Sequence, residues 1–185
     1  MFFEPHKRDK SIFPHDPFKA MIAPRPVGWI STMNKAGQVN LAPYSFFNAF
    51  CDRPPIVGFC SDGEKDSKTF AAESGEFVWN MATYALKDQV NASSAPLPRG
   101  ESEFVHAGLE TAPSQIVKAP RVAASPCALE CKVTQIFQLT NTDGQGTDRW
   151  MVMGQVVGMH VDDDYIGNGR IDVLRMKPIA RCGYM

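Results

Sequence analysis

The most regular hydrophobic pattern in the chain lies late, over residues 127–139. Its odd positions read Cys, Leu, Cys, Val, Gln, Phe, Leu and its even positions Ala, Glu, Lys, Thr, Ile, Gln. Alternation with period two, broken at two or three places, predicts a β-strand with one wet face. Residues 150–161, WMVMGQVVGMHV, are apolar at both parities. That predicts a strand buried on both sides, with its outer face against another copy of the chain. Between them, residues 140–148 are polar with two glycines and are expected to form a loop.

Earlier, short apolar runs alternate with turn chemistry. A brief helix over 17–23 is closed by Pro24 and Pro26. Residues 27–33 read as a strand, 34–38 with Gly37 as a hairpin turn, 39–47 as the returning strand and 56–60 as a third. A helix follows, capped at its start by Asp66 or Ser67 and closed at Gly75. Residues 76–81 form a strand, 84–93 a helix, 96–100 a loop, 102–107 a helical turn, and one short strand lies in 178–185. Many short strands with inserted helices, and no βαβ alternation, predict a mainly β fold, an antiparallel barrel.

Composition narrows this picture. A length of 185 residues fits a single domain, and 44% hydrophobic with 21% charged residues supports a packed core. A net charge of −1 argues against nucleic acid as a partner. No apolar run reaches the ~20 residues a membrane helix needs, and the charged start MFFEPHKRDK does not read as a secretion signal, so the cytoplasm is expected. Five cysteines at irregular spacing predict no disulfide framework. Cys127 and Cys131 read as buried thiols, and four scattered histidines give no metal motif.

Candidate chemistry gathers in three segments. Arg25-Pro-Val-Gly-Trp-Ile-Ser-Thr32 ends a strand on Ser31 and Thr32, with Trp29 just before. Asn40-Leu-Ala-Pro-Tyr-Ser-Phe-Phe-Asn48 sets Pro43, Tyr44, Ser45 and Asn48 among aromatics. Ser61-Asp-Gly-Glu-Lys-Asp-Ser-Lys-Thr69 runs from a polar loop into a helix start. Such a start attracts phosphate through unpaired N–H groups and partial positive charge, and Lys65, Lys68, Ser61, Ser67 and Thr69 add donors. A hairpin edge beside apolar surface suits a flat ring with polar edges. Each piece also has a plainer reading. Ser31-Thr32 could simply end a strand, 65–69 could be a solvated helix start, and Trp29, Phe46 and Phe47 could be core.

Together these segments resemble the flavin-reductase-like family of the FMN-binding split barrel, along nearly the whole chain. The resemblance is carried by RPVGWIST at 25–32, NLAPYSFFN at 40–48, PP at 54–55, KDS at 65–67 (the family usually has Lys-Asp-Thr), ESGEFVWN at 73–80, SPCALECKV at 125–133, GQVVGMHVDD at 154–163, GRID at 169–172 and KPIARCGY at 177–184.

The resemblance implies a homodimer with FMN, or FAD, at the subunit interface. It places Ser31 and Thr32 at the flavin or its phosphate, with Trp29 beside them. Pro43, Tyr44 and Ser45 would lie along the ring, with Asn48 nearby. Ser61, Lys65, Asp66 and Ser67 would hold the phosphate, and His160 and Arg181 would face the open side. No catalytic acid–base pair is implied. The activity it implies is hydride transfer from NAD(P)H to flavin N5. The alternative is a flavoredoxin-like electron carrier serving a redox protein partner.

Overall fold

In the computed structural model, residues 1–98 and 100–183 are described. The framework is one antiparallel sheet of seven strands: β1 (Gly28–Met33), β2 (Val39–Tyr44), β3 (Phe47–Asp52), β4 (Pro55–Asp62), β5 (Glu76–Asn80), β6 (Cys127–Thr140) and β7 (Gly146–Val161). Their order is β2-β1-β5-β6-β7-β4-β3. The ladder does not close. Its two edges, β2 and β3, are consecutive in sequence and part at Ser45-Phe46, so the barrel expectation holds only as an open, split sheet. Short helices fill the connections: α1 (Phe18–Met21), α2 (Asp66–Ser74), α3 (Lys87–Ala92) and α4 (Glu103–His106).

The strand expected over 39–47 is two. It stops at Tyr44, and β3, which the sequence pattern did not single out, begins at Phe47. The loop expected over 140–148 is shorter, because Asn141 closes a tight turn by accepting from Asp143 N and Gln145 N, and pairing resumes at Gly146. The exceptions in the 127–139 alternation have a cause. Val133 pairs with Gly154 and Gln135 with Met153, so Thr134 is an extra residue on β6. This bulge turns Ile136 inward against the core and leaves Phe137 43% exposed.

One core packs the inner sheet face around Ile30, Val57, Phe59, Phe77, Val152 and Val156, with Ala71 contributed by α2. A second joins Trp29 and Leu41, from the other face of the β1–β2 hairpin, to Leu86 and Val90 near α3 and to Phe104 on α4. Adjacent strand residues point to opposite faces, so Trp29 and Ser31 look one way while Thr32 looks the other. β7 is buried at Val152, Gly154 and Val156. Its other face, Met151 and Met153, is only partly covered, so the expectation of burial on both sides is not met within one chain.

Candidate functional site

The start of α2 differs from expectation in an informative way. The residue with non-helical dihedrals is Lys65, so Asp66 and Ser67 are the first two helical residues, and the Lys65 side chain makes no capping bond. The first amide with an intrahelical partner is Thr69 N, bonded to Lys65 O at 3.0 Å. In an α-helix the N–H groups of the first turn have no carbonyl within the helix to bond. Gly75, at φ +73°, closes the helix as expected; the left-handed backbone favours glycine there.

This helix end opens into a cleft of about 580 Å³ at the split between β2 and β3, within the range of small-ligand pockets. Pro43, Tyr44, Ser45, Lys65, Asp66 and Ser67 all line it. Thr32 is fully buried and pairs in register with Asn40, a cleft residue, so it stands behind the wall. Ser61 is also fully buried, beside Tyr44. The Thr32 hydroxyl is buried without a hydrogen-bond partner, and the buried Tyr44 phenol lies against the Ser61 and Ser67 hydroxyls without a well-formed bond to either. Burial raises the Tyr44 pKa, so the phenol remains a neutral donor. Buried hydroxyls without acceptors are costly. Here they sit beside this helix end and Lys65, which fits an acceptor-rich anion.

Other predicted residues have different places. Trp29 is in the core, where its indole Nε1 donates to Ser93 Oγ at 2.9 Å and so fixes a serine that lines the far side of the cleft. Ser31 Oγ donates to Pro120 O and accepts from Asn80 Nδ2. Asn48 is exposed on edge strand β3, where its side chain accepts from Ala49 N. His160 on β7 bonds Glu130 at 2.5 Å, and Arg181 is exposed opposite Arg25. None of these five lines the cleft of a single chain. Lys68 also turns away, ion-paired with Glu64 and lying over the Trp150 ring.

Sequence reasoning missed several lining residues: Lys19 from α1, Asn40, Ser93 and Ser94 after α3, Glu103 on α4, and Arg149. Arg149 pairs with Asp62 across β7–β4 and bonds its carboxylate at 2.8 Å. A hydroxyl-rich Ser93-Ser94 after a helix was a legible hint; the rest arrive through long-range packing.

A profile of the flavin reductase like domain matches residues 21–174. The chain belongs to this family. A curated relative, an uncharacterised protein of Halalkalibacterium halodurans, is 38% identical over 165 residues, covering 86% of this chain and 78% of its own. Among solved structures, nitrilotriacetate monooxygenase component B from Bacillus cereus is similar with a TM-score of 0.90 and 28% identity, covering 100% of this chain and 92% of that one. The 2-nitrobenzoate 2-nitroreductase of Pseudomonas fluorescens follows at 0.85 and 25%, covering 100% and 89%. Membership in this family gives the split sheet and its cleft an oxidoreductase setting.

Proposed function

We propose that this chain is an FMN-dependent oxidoreductase that accepts hydride from NAD(P)H, with the flavin phosphate at the start of α2. The observation that carries the reading is the α2 terminus, opening into the cleft beside Lys65, Ser67 and the Tyr44 phenol, with the buried Ser61 hydroxyl behind it and neither hydroxyl in a well-formed hydrogen bond. These residues fit a phosphate: N–H groups and hydroxyls donate, and the lysine supplies charge. Bound flavin supplies the redox chemistry, accepting two electrons and a proton as hydride. The protein's part is to bind, orient and exclude water. Pro43, Phe46 and Leu97 give the cleft apolar wall, while Ser93 and Ser94 give it polar edges.

The working unit in this reading is a homodimer. The outer face of β7 and its neighbours carries Met151, Met153, Phe137 and Phe50, and Phe50 is 56% exposed. Cys60 pairs with Met151 on that face and also lines the cleft, so the site borders the apolar surface. Asn48 and His160, which stand away from the cleft in one chain, are on strands that flank this surface.

The test is anaerobic mixing of the FMN-loaded protein with NADH or NADPH. Rapid bleaching of the flavin absorbance is expected. Persistent colour with both donors would favour an electron carrier reduced by a protein partner.

A further inference from the structure

Behind Ser67 at the α2 start lies a chain of polar groups, Asn40 and Glu103, that the proposed chemistry does not use. Glu103, Asn40 and Ser67 are 9%, 4% and 1% exposed, and all three line the cleft. Glu103 Oε2 accepts from Leu41 N at 2.9 Å. The Asn40 amide lies between the carboxylate, 3.2 Å away, and Ser67 Oγ, 2.7 Å away. Its two ends are nearly the same size, so it can sit either way round.

One proton on Glu103 biases the orientation, against Leu41 N, which favours an oxygen beside it. With Glu103 ionised, both carboxylate oxygens are acceptors, so the amide nitrogen must face Glu103. The amide oxygen then accepts from Ser67, and the Ser67 hydrogen is engaged. With Glu103 protonated at Oε1, that oxygen donates to the Asn40 amide oxygen while Oε2 keeps Leu41 N. The amide nitrogen then donates to Ser67 Oγ while lying 3.2 Å from Leu41 N, a donor beside a donor, and the Ser67 hydrogen is left for the cleft or the neighbouring Tyr44 phenol. A phosphate only accepts hydrogen bonds, so it favours the second arrangement.

We propose that Glu103 is a positioning residue: its protonation reverses the Asn40 amide and turns Ser67 into a hydrogen-bond donor, so that a phosphate monoester entering the cleft brings one proton with it. The proposal rests on the reading that α2 holds the flavin phosphate. Charged and titratable groups facing Glu103 are Asp66 on α2, which favours the protonated form, His106 on α4, which opposes it, and the Tyr44 phenol on β2. Lys19, Lys65 and Arg149 share the cleft. Burial raises the Glu103 pKa, in the sense the mechanism needs.

Isothermal titration calorimetry in buffers of different ionisation enthalpy reads the proton directly. At about pH 7.5, above the second ionisation of a phosphate monoester (~6), FMN binding to the wild-type protein is expected to take up close to one proton. Riboflavin, which lacks the phosphate, should take up none. Glu103→Gln mimics the protonated acid, because its amide can donate to Asn40 permanently. It should bind FMN without proton uptake. Above the Glu103 ionisation, wild-type affinity should fall by up to about tenfold per pH unit, while the variant stays flat. Tight FMN binding with no proton uptake by the wild-type protein, or equal uptake in Glu103→Gln, would overturn the proposal and leave the flavin reading standing. Failure of FMN to bind at all would overturn both.

Discussion

At the head of α2, Lys65 and Ser67 face the cleft while Lys68, one residue further, is tied to Glu64 and Trp150. Charge at this helix end is therefore not interchangeable. Lys65→Glu places an anion beside the proposed phosphate and is expected to weaken FMN retention markedly, whereas Lys68→Gln should leave it nearly unchanged; equilibrium dialysis distinguishes them. Ser67→Ala removes one hydrogen bond, on the order of 1 kcal/mol, or about fivefold in Kd.

A second residue-scale prediction concerns Glu130. Burial alone would raise its pKa. Backbone N–H donors of Gln115, Ile116 and Val117, together with His160, outweigh burial and hold it at about 2, against 4.5 ordinarily. A depressed carboxylate stabilises the fold above the ordinary value, and that stability is lost as pH falls from about 4.5 toward 2. The unfolding free energy from urea titrations should drop across that window by an amount on the order of 3 kcal/mol, and Glu130→Gln should flatten the dependence.

Much of the candidate cleft was legible at this scale. Pro43, Tyr44, Ser45, Lys65, Asp66 and Ser67 were picked from short segments and share one cleft. Arg149 and Glu103 were not, because strand pairing and helix docking bring them from far along the chain, and no local spacing encodes that.

At the scale of elements, periodicity found most strands and failed where one residue changes the phase. The bulge at Thr134 exchanges inside and outside between Val133 and Phe137, and the alternation records it only as an irregularity. The wet face expected of this strand is not wet at Glu130, because the 115–117 segment folds over it. β3 went unread because FNAFCD does not alternate cleanly and most of it stays exposed on an edge. The crossing of β6 and β7 offers a packing test. A Cβ on Gly154 would lie 2.4 Å from the Phe77 ring and 3.1 Å from Cys131 Cβ. Gly154→Ala is expected to cost about 1–3 kcal/mol through overpacking, read as a lowered thermal midpoint. An unchanged midpoint would mean that this part of the core is looser than described.

For the whole molecule, the open sheet leaves an apolar outer face next to the cleft. If a second copy covers it, the particle in solution has twice the 20.4 kDa chain mass. Met153→Lys should shift it toward one chain and weaken flavin retention at the same time; light scattering coupled to size exclusion reads the first effect. Among the described residues no helix is long and apolar enough to cross a membrane.

The central claim is that the α2 start and the Tyr44–Ser61 hydroxyls together read the phosphate of a flavin. Comparing FMN with riboflavin by fluorescence titration tests it most directly. The wild-type protein should prefer FMN by at least about tenfold, since several charge-assisted hydrogen bonds depend on the phosphate, and Lys65→Glu should erase most of that preference. Equal affinity for the two flavins in the wild-type protein would contradict the account.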